Sequence, residues 1–527
     1  MKHRIKAFRF LAALTVAASS IGAAFPQDNI VVQRNPVVVH DTNHLTTDQA
    51  FRDMTPEPWH NVSKVMIEHD RAPYPHIANQ PDSVFQREVL PLVSTTSLLS
   101  FDGITDAQGG GFVPPDTNAA VGATQVVETV NVAYAVYDKT TGARILAPVN
   151  IQTLYKSLGG QCATGNLSDP IVNYDRAAGR WVITMIAFNN SFSVNNSCVA
   201  VSTTSDATGT FHVYSFPYGS KLPDYPKVGV WRDAYYITTN SFPGGGSFSG
   251  AESCALNRTK MLAGLTATMI CFQRRPSDFS LMPSDLDGAI APPLLAPNYQ
   301  LELGTATKMN LFKFHVDFTT PKNSTFTGPT VIPVAAYTDA CATTGACIPQ
   351  PSGGEPLDAL GDRLMYRLAY RNFVDHESLV VNHSVKGSGT TTSAVRWYEI
   401  RSPGSSPVVF QSGTVGSTMA FWMGSIAMDK AGDIALGFSA SSATLDPSIA
   451  YVGRIPTDAL GKMESTKLVI KGTGVQRNSF NRWGDYSSMQ IDPVDDCTFW
   501  YAQEYYKTTG SFNFDTRLAS FKFTTCH

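Results

Sequence analysis

Over residues 168–186 the apolar and polar positions fall into a compact pattern. Ile171, Val172 and Tyr174 form an apolar run after Asp169-Pro170, and proline is tolerated at the first residue of a strand. Residues 175–179, DRAAG, interrupt the run and end on a glycine, which takes positive φ at little steric cost. From Trp181 a longer run of β-branched and aromatic residues extends to Phe188. Two such runs around a short Asp/Gly loop predict a β-hairpin.

The same pattern recurs along most of the chain. Asp116, Asp224, Asp285 and Asp362 each precede a comparable hairpin, as do Trp422 and the Trp483-Gly484-Asp485-Tyr486 cluster, which makes seven copies with the first. Two further short apolar segments follow each hairpin, such as 198–203 and 211–216 in the second copy. Four antiparallel strands repeated seven times predict a seven-bladed β-propeller; two stacked sheets are the competing all-β arrangement. The last copy lacks one strand, because the chain ends after 517–523. Residues 89–101, VLPLVSTTSLLSF, have strand character and are expected to supply it, closing the ring. No long helical period competes with this all-β reading.

At the start of the chain, Lys2, Arg4, Lys6 and Arg9 precede an apolar run over 10–18 and small residues through Ala24. Residues 1–24 therefore read as a secretory signal peptide, the run being too short for a transmembrane anchor. Residues 25–86 show no strand periodicity and are expected to be a propeptide, a strap or an irregular extension, leaving 87–527 as the propeller. The protein is expected in the periplasm or outside the cell, as a monomer without a membrane span. All eight cysteines lie beyond the leader, which suits an oxidising compartment. Proximity suggests the pairs Cys162–Cys198, Cys254–Cys271, Cys341–Cys347 and Cys497–Cys526. No C-x-x-C spacing favours zinc. A net charge of −3 gives no basic field for nucleic acid.

Candidate chemistry begins with the acids that open the copies. Asp116, Asp169, Asp224, Asp285, Asp362 and Asp485 precede the innermost strands and would converge near the ring axis. Converging carboxylates repel, so they need a cation such as Ca2+ or Mg2+, or else each caps its own turn. In 362–371, DRLMYRLAYR, a strand places Arg363, Arg367 and Arg371 on one face and Tyr366 and Tyr370 on the other. Those arginines either pair with the aspartates or face an anionic ligand. His376, beside Glu377 in a turn, is the best general-base candidate. It does not begin a metalloprotease motif, since Val380 stands where the second histidine belongs. Arg482, Trp483, Asp485 and Tyr486 would suit a sugar ring, unless Trp483 fills the core beside Trp422.

The chain resembles secreted bacterial β-propeller proteins over roughly 89–527, on its DPIVNYD…GRWV-like openings. The resemblance implies a fold only. The S-x-D-x-G-x-T-W turn of sialidase-type propellers is missing, so no catalytic residues are carried over, and no nucleophile elbow or phosphate loop is present. The reading that follows is a propeller binding an extracellular polymer, most simply a polysaccharide, on one face. A lyase or glycosidase is the alternative, with His376, Arg363, Arg367, Glu377 and Asp485 as its candidate residues and Tyr366, Arg482, Trp483 and Tyr486 against the sugar. A protein-binding scaffold is the third. The sequence alone does not decide whether the protein is an enzyme.

Overall fold

The computed structural model describes residues 30–59, 75–387, 393–477 and 480–527. The expected leader, 1–24, lies outside them. The chain is all-β and propeller-like: each repeat folds into an antiparallel meander whose first strand is innermost. The second repeat shows how. Asn166–Asp175 pairs with Arg180–Phe188, which pairs with Asn195–Ser202 and then Phe211–Gly219. In the intervening turn the Asp175 carbonyl accepts from Ala178 and Gly179. The innermost strands of consecutive repeats lie side by side, and Ser488–Ile491 of the last lies beside Asn118–Val121 of the first. Between the fourth and fifth repeats they pair outright, Met282–Asp287 running parallel to Met365–Asn372.

Packing between neighbouring sheets uses aromatic side chains against glycine. A Cβ on Gly122 would lie 2.5 Å from Trp181 of the next sheet, and one on Gly437 2.5 Å from Tyr501. These positions are held open so that a large ring can fill the gap, and close-packed cores do not tolerate the added carbon without rearrangement.

The last meander, Ser488–Ile491, Thr498–Tyr505 and Asp515–Phe523, takes its fourth strand from upstream. Thr95–Asp102 pairs antiparallel with Asp515–Phe523, slightly later than the 89–101 read from the sequence. The four anticipated disulfides are present, with Cys254 and Cys271 directly opposed across adjacent strands.

Of the readings of the N-terminal extension, a strap is nearest to what the structure holds, though it follows the outer edges of the sheets rather than crossing one face. Residues 30–59 and 75–94 run as a belt around the outer edges of the sheets. Val31–Arg34, Val37–His40 and Asn43–Thr46 add a strand to the outermost strands of the fourth, third and second repeats in turn. Asn150 and Thr153 in the first repeat hold Pro58 and Glu57. Farther on, Asp82 pairs with Arg396 of the fifth repeat at 2.6 Å, and Pro91 accepts from Ser465 of the sixth. These belt strands are four residues long and paired on one side only. Val31 and Val37 remain more than half exposed, so the polar–apolar alternation that marks a half-buried strand is absent.

Candidate functional site

The acids of the axis separate into two levels. At the upper level Asp116, just before Asn118–Val121, and Asp169, within Asn166–Asp175, hold left-handed backbone, φ 49° and 54°. In the third repeat Tyr225 takes that conformation, so Asp224 sits one place earlier. The Asp485 N–H donates to Asp116 Oδ1 at 2.9 Å, and Arg482 Nη2 donates to Asp485 Oδ1 at 2.5 Å. Lys227 Nζ lies 3.4 Å from the centre of the Tyr225 ring and 4.2 Å from that of Tyr486, and donates to the Pro226 carbonyl. Arg363 donates to Asp362 and lies 4.8 Å from the Tyr225 ring. Burial, reinforced by the charges of Asp485 and Asp169, drives the Asp116 carboxyl well above its usual range. Burial also draws the Lys227 ammonium down to about 7, against the attraction of Asp169, Asp485 and Asp116. Chain-borne cations and acids thus share one buried level.

Asp285 is not part of that level. It lies within Met282–Asp287, beyond Ser280, whose φ of 50° matches that of Asp116 and Asp169, and its partners lie in the lower axis. There Arg367 donates to Asp285 at 3.1 Å, to Asp287 at 2.5 Å and to the Met489 carbonyl. Asp285 also accepts from the Val230 N–H and the Asn173 side chain. Burial pushes its carboxyl up to about 6, although Arg367 opposes the shift. Arg371 completes the column with a two-bonded pair to Asp496, which Arg176 also approaches at 3.3 Å. The cavity at this end is about 20 Å3, room for a single water.

The lyase or glycosidase constellation is not assembled. Met365–Asn372 separates Arg363 from His376, and seven strand steps span on the order of 20 Å. Arg363 and Arg367 are buried in the axis. His376 lies beyond the strand's far end, stacked on Phe373 and hydrogen-bonded to Asp375. Glu377 accepts from Tyr370 and Tyr299, while Asp362 and Asp485 belong to the upper axis. The aromatic platform is also absent, because Tyr366, Trp483 and Tyr486 are at most 1% exposed. Trp483 packs against Trp422 with ring centres 5.4 Å apart and donates to Ser439. It fills the core because the repeats bring two tryptophans to one seam.

A different concavity lies on the flank of the sixth repeat. Its walls are Thr418 and Met419 before Ala420–Met428, the loop 442–445 after Ile434–Ser441, and Leu468 and Lys471 at the end of Lys467–Ile470; its volume is about 530 Å3. Ser442 Oγ accepts from the Thr444 and Leu445 N–H groups and shapes the loop. The belt passes lower on this flank, at Ser465, and leaves the hollow open among the described residues. No carboxylate lines it.

No family model matches this chain. Nor does any curated protein. Among solved structures it is similar to an α-L-arabinanase of Penicillium chrysogenum, at 10% identity over 82% of this chain and 100% of that one, with a TM-score of 0.34. It is also similar to the fission-yeast SCAP WD40 domain, at 11% identity over 87% and 98%, TM-score 0.32. The Fusarium graminearum α-L-arabinofuranosidase Arb93A stands at 11% over 81% and 98%, TM-score 0.34. Likeness of this degree assigns no residue, substrate or reaction.

What remains is chemistry read from the two sites. In the axis, carboxylate oxygens of Asp116, Asp285, Asp362 and Asp485 meet donors from the chain itself, while Asp169 Oδ2 and Asp224 Oδ1 are buried without a hydrogen bond among the described residues. The flank hollow offers hydroxyls, one ammonium and an aliphatic floor of Met419, Leu445 and Leu468. Sequence reasoning passed over it, since its loops are short and rich in Ser, Thr and Ala, the usual composition of turns.

Proposed function

We propose that the protein is an exported, monomeric seven-bladed β-propeller, closed by Thr95–Asp102, that binds an extracellular polysaccharide without cleaving it. The observation that carries this reading is the flank hollow: about 530 Å3, hydroxyl-lined and free of carboxylates. That volume falls in the range of small-ligand sites and accommodates one or two sugar units. Glycoside hydrolysis generally needs a pair of carboxylic acids across the scissile bond, and this hollow supplies none. The axial acids do not substitute for them. Lys227, Arg363, Arg367 and Arg482 lie among those acids and offset part of their charge. Export is supported by four disulfides, and no helix among the described residues is long and apolar enough to cross a membrane.

The test is titration calorimetry against a panel of soluble polysaccharides, together with assays for reducing ends and for new ultraviolet-absorbing double bonds. Binding without either product is expected, as is its loss in Ala443→Trp, which fills the hollow from an exposed loop position. Product of either kind, or binding that survives Ala443→Trp, overturns the reading.

A further inference from the structure

We infer that the flank hollow selects an anionic polysaccharide, one bearing carboxylate or sulfate groups, with Lys471 as the residue that reads the charge. This rests on the hollow being the glycan site. Lys471 is the one ionisable group in its lining, and its ammonium makes no hydrogen bond or ion pair with any described residue. The Thr418 hydroxyl is likewise uncommitted among the described residues, whereas the Ser442 hydroxyl is spent on its own loop. The neighbouring Lys467 turns away and donates to the Thr95 carbonyl. Asp446, next along the loop, does not line the hollow. A ligand entering therefore meets one positive charge, a free hydroxyl and an aliphatic floor. No acid faces it to repel an anion or to favour an amine.

Charge-assisted hydrogen bonds are about twice as strong as neutral ones, and they weaken with added salt when exposed. The contribution here is that of one exposed pair, so the expected discrimination is about two- to fivefold rather than thousands.

The experiment measures binding of polygalacturonate, dextran sulfate, dextran and chitosan to the full chain, in low salt and at 0.5 M salt (about a 4 Å screening length). Polygalacturonate or dextran sulfate is expected to bind about two- to fivefold more tightly than dextran, with chitosan weakest. The two anionic polymers separate carboxylate from sulfate recognition. Lys471→Met should remove the preference and the salt dependence while leaving thermal stability unchanged, and Lys471→Arg should restore both. Equal binding of dextran and the anionic polymers, unaffected by Lys471→Met but abolished by Ala443→Trp, would sink the charge assignment and leave the glycan site intact. Absence of binding to all four polymers would remove the glycan site as well.

Discussion

Arg367 joins three repeats at one point on the axis, since its guanidinium meets Asp285 and Asp287 of the fourth repeat and the Met489 carbonyl of the seventh. Such a pair is dear to break from one side, because the partner acids stay buried and lose their counter-charge. Arg367→Met is expected to destabilise the fold by about 3–5 kcal/mol, read as a shift of the urea midpoint at pH 7. Arg367→Met combined with Asp285→Asn and Asp287→Asn should recover much of that loss. A single variant as stable as the parent would show that Arg367 does not hold the axis. At this scale much was legible beforehand. The recurrence of Asp before innermost strands, and of Arg every fourth residue in 363–371, marks groups that need partners. The assignment of partners was not legible. Asp285 drops to a lower level, and Tyr225 takes the place of an acid, through shifts of a few residues that repeat spacing does not reveal.

The belt is the element that the sequence concealed. Strands signal themselves by alternation, and VVQR, VVVH and NHLT lack it, because each is paired at one edge and open to solvent at the other. Their role follows from what they cover. The outermost strands Phe211–Gly219, Thr268–Gln273 and Thr325–Pro333 would otherwise present unpaired N–H and C=O groups, a template for pairing with another chain. Removal of residues 30–46 is expected to leave the inner meanders folded but prone to association. Light scattering after size exclusion should show oligomers, growing with concentration. A truncated protein that stays monomeric at high concentration would mean that the belt does not protect these edges. The hollow lies on a flank where the belt runs low, so the same element that seals the edges leaves one stretch of the circumference accessible. Its walls come from three separated loops, and no local signal in any of them shows that they meet.

Across the whole molecule, several acids are buried where their protonated form is favoured, and this sets how stability varies with pH. Burial pushes Glu128 up to about 7 despite hydrogen bonds from Thr516, Tyr137 and Ile104, and Asp285 to about 6. Burial together with the charge of Asp433 takes Asp429 to about 8. Asp116, Glu302 and Glu504 are also driven well up, chiefly by burial. A carboxyl whose folded-state value is raised binds its proton more tightly when folded. Its stabilisation is complete below the unfolded value near 4 and is lost as pH climbs through the folded value. For Glu128 and Asp285 the loss is on the order of 3 kcal/mol each. Asp206 acts in the opposite sense: hydrogen bonds from Gln125, Thr208 and Arg52 outweigh burial and hold it at about 2, so its contribution disappears only in strong acid. Lys227, drawn down to about 7, adds stability with rising pH only above that value. Between pH 4 and 7 nothing among these groups opposes the decline. The melting temperature is therefore expected to be highest near about pH 4 and to fall from there towards pH 8. Differential scanning calorimetry from pH 3 to 9 gives the curve, and Asp429→Asn should flatten its alkaline side. A melting temperature that is level or still rising from pH 5 to 8 would show that these carboxyls are not buried as the fold places them.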